Sequence, residues 1–152
     1  MVVSSQANAT RAGVEILRAG GNAIDAAVAT AFAVGVTQPF STGLGGGGFV
    51  LIRLGDGRVI AVDARETAPA DATREMYLQP GVAEDASIRG ALAVATPGLV
   101  AGLALSLKEH GTLPLAEVLA PAIRLAEEGF AIGPYHARLI ERMREQIGRA
   151  HV

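Results

Sequence analysis

Three charged side chains stand together at the end of an apolar stretch, and their types and spacing could do chemistry. They are Asp63, Arg65 and Glu66, in the segment RVIAVDARETAP. Side chains alternate along a β-strand, so Asp63 and Arg65 would share one face of a strand that ends here. An arginine held in place presents a planar fork of N–H donors that matches a carboxylate. The residues alone fit an exposed ion pair better, which is the commoner use of charges at strand ends.

A β-hairpin must position this cluster. The segment FVLIRL predicts a buried strand, and RVIAVDA predicts its antiparallel partner across a turn at Gly55-Asp56-Gly57. Four successive glycines, at positions 45–48, precede the first strand. Because glycine has no side chain, this run indicates a crowded path where another backbone or a ligand comes close.

The rest of the chain reads as helices punctuated by glycine and proline. Asn22 is placed to cap a helix over 23–36, with Asp25 in its first turn near the positive end of the helix dipole. That helix is apolar nearly all round, which is typical of an internal helix. The predicted order is β-α-α-β-β-α-β-α-α-α, an α/β (α+β) chain with a partly antiparallel sheet. The other predicted elements are a strand at MVVSS, a helix over 11–19 capped by Asn8 or Thr10, a helix over 71–78, a strand at ALAVA (91–95), a helix from Thr96-Pro97 to 109, a helix over 114–128 that Pro121 interrupts, and a polar helix over 133–147.

Three glycines have the spacing of a dinucleotide-binding fingerprint, but the elements around them do not match that fingerprint. Gly43, Gly45 and Gly48 satisfy it, and Asp63 follows where a ribose-binding acid would stand. The fingerprint requires a preceding strand and a following helix whose N-terminus receives the pyrophosphate. Here a helix precedes and an apolar strand follows, which disfavours nucleotide binding. A helix starting at Phe49 would support that function, whereas a strand would remove it.

Other reactive residues are scattered. His110, His136 and His151 lie too far apart for metal-ligand spacing, and no carboxylate stands near them in a ligand pattern. No serine occupies a nucleophile elbow, and the sequence has no cysteine. We therefore expect no metal, no cofactor and no obvious nucleophile in this chain.

Composition narrows the class of partner. The 152 residues fit one domain, 1–152, which need not be a complete protein; half are apolar and the net charge is −2. This balance disfavours nucleic acid as a partner. The longest apolar run, over 26–36, is shorter than the roughly 20 residues of a membrane span. Apolar excess in so short a chain favours a surface covered by another polypeptide. The absence of cysteine fits a reducing or an oxidising compartment.

Several segments in a fixed order resemble one known family. They are AGGNAIDAA, LGGGGF, DARETAP, TPGLVAGL and GTLPLAEVLAPAIRLAEEGF. Together they are similar to the γ-glutamyltranspeptidases, also called glutathione hydrolases, in the N-terminal part of the large subunit. The resemblance covers essentially the whole chain, and each segment alone would be weak.

The resemblance implies an N-terminal nucleophile hydrolase, a four-layer αββα sandwich made as one precursor that cuts itself into a large and a small subunit. In the family, the cut exposes a threonine whose hydroxyl attacks the γ-glutamyl carbonyl while its own α-amine serves as the base. Glutathione or another γ-glutamyl compound is the substrate, and water, an amino acid or a peptide accepts the acyl group. This chain has no matching Thr-Thr-His segment, so the threonine is expected on the small subunit and this segment alone is expected to be inactive.

The resemblance also implies a role for the charged cluster. Arg65 matches the arginine that binds the α-carboxylate of the γ-glutamyl group, and we assign Asp63 and Glu66 to holding Arg65 in place. The four glycines are then assigned to backbone packing. Family relatives include cephalosporin acylase-like enzymes and poly-γ-glutamate depolymerases, and a non-catalytic binding or assembly module is a further alternative. The family suggests a periplasmic or secreted location, with a cytoplasmic one also compatible.

Overall fold

The computed structural model of the chain describes residues 1–149. These residues form five α-helices, one antiparallel pair of β-strands and a single 3₁₀ turn at Ala91–Ala93. The helices are α1 Ala7–Arg18, α2 Ala23–Thr37, α3 Leu99–His110, α4 Leu115–Glu128 and α5 Pro134–Arg149, and the strands are β1 Gly48–Arg53 and β2 Val59–Ala64. None of these helices is both long enough and apolar enough to span a membrane.

The chain divides into two compact units. The first, here called the helix unit, combines residues 1–43 with the chain from Ser106 onwards. The second, here called the hairpin unit, is Leu44–Leu105. The boundary falls inside α3, so the first residues of that helix belong to the hairpin unit and the last to the helix unit.

Small residues build the core of the helix unit, where α1 packs on α2 and α2 packs on α4. Gly13 of α1 shows why: a Cβ there would overlap the Thr30 hydroxyl and lie 3.0 Å from the Ala26 carbonyl oxygen of α2. The predicted internal character of α2 is confirmed, because most of its length is buried. The buried apolar side chains of this unit include Ala9, Ala12, Ile16, Ala26, Val28, Ala29, Phe32, Ala33, Leu107, Val118 and Ala122.

Asp25 is a fully buried carboxylate that accepts several hydrogen bonds. Asn22 caps α2 as predicted, and the Asn22 N–H donates to Asp25 Oδ2 at 2.7 Å, which completes a capping box. Asp25 also accepts from the Thr112 hydroxyl at 2.6 Å and from the backbone N–H groups of Thr112 and Leu113 at 2.9 and 3.2 Å. One side chain thus joins the start of α2 to the loop between α3 and α4.

The hairpin of the second unit has the predicted turn. Gly57 has φ +89°, which favours glycine, and its N–H donates to the Leu54 carbonyl at 3.0 Å. The register pairs Val50 with Val62 and Ile52 with Ile60 on one face. Ile52 is buried, but Phe49 and Leu51 are each 74% exposed on the opposite face. The prediction that FVLIRL is a buried strand is therefore right for alternate residues only, since successive side chains point to opposite faces.

Two predicted strands are absent among residues 1–149. MVVSS does not pair with another strand, and α1 begins at Ala7, so Asn8 and Thr10 lie inside the helix rather than capping it. ALAVA forms a 3₁₀ turn at Ala91–Ala93. Both segments have strand-like residues, but a strand requires a hydrogen-bonding partner that a local pattern does not supply.

Two helix predictions also differ from the structure. Residues 71–78 form turns rather than a helix. Pro121 lies inside α4 without ending it, and it is buried together with Val118 and Ala122 on the same helix. Proline removes one helical hydrogen bond, and the burial of this face offsets that loss.

We expect Asp25→Asn to lower the free energy of unfolding by about 1–3 kcal/mol at neutral pH, because buried donors lose a charged acceptor. Burial acts to raise the pKa of Asp25, but hydrogen bonds from the Thr112 hydroxyl and from the N–H groups of Asn22, Thr112 and Leu113 outweigh it and lower the pKa. Because the folded pKa is lowered, the stabilisation is present above the unfolded pKa of about 3.9 and is lost as pH falls through the lower, folded value.

Denaturant unfolding at pH 7 and near pH 3 would measure this difference. The exposed Asp71 supplies the control, since Asp71→Asn should change the free energy of unfolding by no more than about 0.5 kcal/mol. A penalty for Asp25→Asn that stayed constant across this pH range would contradict the assignment of the effect to the ionised carboxylate.

Candidate functional site

Arg65 is the first residue after β2, and its side chain is 57% exposed. The preceding residue, Ala64, is the buried end of the strand, with 4% of its surface exposed. The predicted alternation is therefore confirmed: Asp63 and Arg65 are exposed, and Ala64 points into the hairpin unit. The strand end anchors the main chain while the guanidinium remains accessible.

The two neighbouring carboxylates contact Arg65 in different ways. Asp63 Oδ1 accepts a hydrogen bond from the Arg65 backbone N–H at 2.9 Å, so it stabilises the main chain. Glu66 Oε2 lies 3.3 Å from Arg65 Nη1 and forms an ion pair with the guanidinium. The side-by-side pairing of the Asp63 and Arg65 charges expected from the strand alternation is thus replaced by pairing with Glu66, the next residue in the chain.

The Glu66 carboxylate lies in a confined place. Its Oε2 atom is buried, and it accepts no hydrogen bond from the part of the chain that the structure describes. A Cβ on Gly47 would lie 2.6 Å from this oxygen, 2.6 Å from the Ala64 carbonyl oxygen and 2.7 Å from the Glu66 nitrogen. A buried carboxylate oxygen without hydrogen bonds is unfavourable, so the nearby guanidinium is the group that compensates it. Gly47 leaves the space in which this pairing occurs.

The start of α3 packs against the same strand end. A Cβ on Gly98 would lie 2.5 Å from the Ala64 carbonyl oxygen and 2.6 Å from that of Arg65. The Gly46 carbonyl accepts hydrogen bonds from the N–H groups of Gly98 and Leu99 at 3.2 and 3.1 Å. The glycine run thus joins α3 to the strand end, as the assignment to backbone packing predicts, with closest approach at Gly47.

A backbone bridge holds the chain just beyond Arg65. The N–H of Thr67 donates to the Thr96 carbonyl at 3.1 Å, and the N–H of Thr96 donates to the Thr67 carbonyl at 2.9 Å. The sequence predicts a helix that starts at Thr96-Pro97, but α3 begins at Leu99. Arg65 is therefore fixed on both sides along the chain, by β2 and by this bridge.

The other candidate residues do not form a second site of this kind. A strand begins at Gly48 where the dinucleotide fingerprint would require a helix, which removes that alternative. His136 packs against the ring of Phe40, with centroids 4.9 Å apart, and the His110 carbonyl accepts from the Asn22 side chain at 2.7 Å. His151 lies outside the residues that the structure describes. Among the side chains that the structure describes, no group of acidic and histidine residues has the arrangement of a metal site.

The local sequence pattern did not show how α3 meets the strand end. The segment Thr96-Pro97-Gly98 indicates a helix start, which is close to the observed start at Leu99. Nothing in the local pattern connects Gly98 with Arg65. The available signal was the spacing of Gly98 and Gly102, which places both on one face of a helix. An arginine with an anchored backbone and an accessible guanidinium can bind a carboxylate ligand bidentately.

Known proteins that are similar in sequence cover most of this chain. The family model for gamma-glutamyltranspeptidase matches residues 9–151. The glutathione hydrolase proenzyme of Escherichia coli is 51% identical over 134 residues, which are 87% of this chain and 23% of that protein. The acylase ACY 1 proenzyme of a Pseudomonas species is 49% identical over 148 residues, which are 92% of this chain and 26% of that protein. The chain spans about a quarter of the length of these curated relatives.

A solved structure shows the same fold. The crystal structure of Helicobacter pylori γ-glutamyltranspeptidase matches with a TM-score of 0.89 and 44% identity, over 95% of this chain and 42% of that one. The mixed helices and strands described above are thus the α+β fold of the N-terminal nucleophile hydrolases, which confirms the predicted fold class. The chain belongs to the γ-glutamyltranspeptidase family.

Two glycines of the same run provide a test of the packing around Glu66. We expect Gly47→Ala to lower the free energy of unfolding by about 1–3 kcal/mol, because its Cβ would press on the backbone at Ala64 and Glu66. Gly45→Ala is the matched control, since nothing lies within 4 Å of its added Cβ and its φ is not positive. Equal stability of the two variants in denaturant unfolding would contradict the close packing at Gly47.

Proposed function

We propose that the protein carrying this chain is a γ-glutamyltransferase and glutathione hydrolase, and that Arg65 binds the α-carboxylate of the γ-glutamyl donor. The observation that supports this most directly is the accessible guanidinium on an anchored backbone. Membership of the γ-glutamyltranspeptidase family supports the reaction class. Asp63 and Glu66 are proposed to hold Arg65 in place, the first through its backbone and the second through its guanidinium.

The chemistry of the donor explains why an arginine suits this role. A γ-glutamyl amide differs from an ordinary peptide amide in carrying a free amino-acid end, with a carboxylate several bonds from the amide that breaks. Two parallel N–H···O bonds from one guanidinium fix both the position and the direction of that carboxylate. Lysine offers a single ammonium without this geometry. Anchoring the far end of the donor then places the γ-carbonyl for attack.

The attacking group is proposed to come from a small subunit of the same precursor. Both curated relatives described above carry the word proenzyme in their names, which supports a precursor. The hydroxyl of an N-terminal threonine on that subunit would attack the γ-carbonyl while the threonine amine takes its proton. The C–N bond breaks, the leaving amine takes up a proton, and the acyl-enzyme passes its γ-glutamyl group to water, an amino acid or a peptide.

A related acylase is the second candidate function. It is supported by the 49% identity to the acylase ACY 1 proenzyme, which is close to the 51% identity to glutathione hydrolase. An acyl group such as glutaryl also ends in a carboxylate, and Arg65 could bind it in the same way. Glutaryl lacks only the α-amino group of γ-glutamyl, so recognition of that amino group separates the two functions.

In the intact processed protein, we expect Arg65→Lys to raise KM for γ-glutamyl-p-nitroanilide by roughly 10-fold or more and Arg65→Ala by roughly 100-fold. The change in kcat should be smaller, because the carboxylate is bound in both the ground state and the transition state. Steady-state kinetics with the released nitroaniline as the signal would measure both constants.

Arg58 supplies the matched control for this experiment. It lies at the hairpin turn with a side chain that is 73% exposed, and it pairs with Asp56 at 2.7 Å. Arg58→Lys should leave both kinetic constants within about twofold of the unmodified protein, because an exposed pair of this kind contributes little. An unchanged KM in Arg65→Lys would remove the proposed role of Arg65.

The choice between hydrolase and acylase can be made with a pair of donors that differ only in the α-amino group. We expect kcat/KM for γ-glutamyl-p-nitroanilide to exceed that for glutaryl-p-nitroanilide by roughly 100-fold, because a site that binds an ammonium discriminates strongly against its absence. A preference for the glutaryl donor would establish the acylase function instead.

A further inference from the structure

Gly102 of α3 lies directly against Ala64, the residue that precedes Arg65. A Cβ on Gly102 would overlap the Cβ of Ala64, whereas the Ala64 Cα would be 3.5 Å away and Val62 Cγ1 3.8 Å away. The overlap therefore involves one methyl group on one neighbour. The other two distances are ordinary van der Waals contacts.

Gly98 makes a similar approach one helical turn earlier. Its added Cβ would meet the carbonyl oxygens of Ala64 and Arg65. Residues four apart lie on the same helix face, so Gly98 and Gly102 together present a surface without side chains to the strand end. The Ala64 methyl occupies the space that this surface leaves, and Ala64 is buried there.

We propose that Gly102 is a positioning residue for carboxylate recognition. Because Gly102 has no side chain, the Ala64 methyl can pack against α3, and this contact determines the position of the Arg65 guanidinium. This proposal rests on the proposed function of Arg65. Gly102 acts on Arg65 through Ala64 and the single peptide unit between Ala64 and Arg65. The distance between α3 and Ala64 therefore determines the position of Arg65.

Binding depends on the position of the guanidinium so strictly that a small change in the distance between α3 and Ala64 would affect it. A binding group must be held within about 0.5 Å of its productive position, and a displacement of about 1 Å can cost roughly 100-fold. An alanine at position 102 must push the strand end away to remove the overlap with the Ala64 methyl. The pairing of β2 and the Thr67–Thr96 bridge hold the backbone on either side of Arg65, so the displacement concentrates at Ala64 and Arg65.

A methyl exchange tests the proposal in the intact processed protein. We expect Gly102→Ala to raise KM for γ-glutamyl-p-nitroanilide by roughly 10–100-fold with little change in kcat. Ala64→Gly leaves a gap and should raise KM by roughly 3–10-fold. The double variant places the methyl on the helix instead of the strand, where the remaining contact at 3.5 Å is ordinary, and it should return KM to within about threefold of the starting value.

A second donor separates positioning of Arg65 from a general disturbance of the fold. In the α-methyl ester of the same donor, the charged carboxylate that Arg65 would bind is missing. Gly102→Ala should therefore reduce kcat/KM for the acid by roughly 10–100-fold but for the ester by less than about threefold. Gly45→Ala, with nothing near its added Cβ, should change neither value.

Several outcomes overturn the proposal. One is a folded Gly102→Ala variant with unchanged KM for the acid while Arg65→Lys raises it, and another is an equal loss for acid and ester. If Gly102→Ala does not accumulate as folded protein, the double variant is compared with Ala64→Gly, and no improvement in KM counts against the proposal. An unchanged KM in Arg65→Lys would instead overturn the proposed function, and this inference with it.

Discussion

The close approach of α3 to the end of β2 is the contact on which the rest of the candidate site depends. Gly98 brings the helix start against the carbonyl groups of Ala64 and Arg65, and Gly102 leaves room for the Ala64 methyl. The Gly46 carbonyl accepts hydrogen bonds from the N–H groups of Gly98 and Leu99, so the glycine run packs against the same helix start. Backbone packed on backbone is rigid because few side-chain rotamers remain to vary. Because Arg65 directly follows this packed region, the position of its backbone is fixed.

Electrostatics then decides where the guanidinium points. The Glu66 carboxylate is confined beside Gly47, with one buried oxygen facing Arg65 Nη1. An ion pair this exposed adds little to stability, but it restricts the directions that a long side chain samples. A carboxylate ligand would meet an arginine that is oriented in advance, which reduces the entropy lost on binding. Asp63 contributes differently, because it bonds the backbone N–H of Arg65 rather than the guanidinium.

The helix unit uses a carboxylate for stability instead. Asp25 is fully buried and its donors come from both the start of α2 and the loop before α4. Dense donation to one carboxylate favours its charged form in spite of burial. At Glu66 the buried oxygen accepts no hydrogen bond among the described residues, and it lies 3.3 Å from Arg65 Nη1. The same chemical group therefore stabilises the fold through hydrogen bonds at Asp25 and pairs with a neighbouring guanidinium at Glu66.

Local sequence alone determined the hairpin with its turn, the cap of α2 by Asn22 and Asp25, the exposed positions of Asp63 and Arg65, and the family to which the chain belongs. The first three depend on residues that are near one another in the chain, and the family depends on several short segments in a fixed order, so all of these patterns are visible in the sequence. The tertiary structure alone decided that Glu66 rather than Asp63 pairs with the guanidinium, and that MVVSS pairs with no strand among residues 1–149. It also decided that Pro121 stays within α4 and that Gly102 faces Ala64. Each of these depends on what the folded chain brings near, and close packing between residues far apart in sequence leaves no periodic signal.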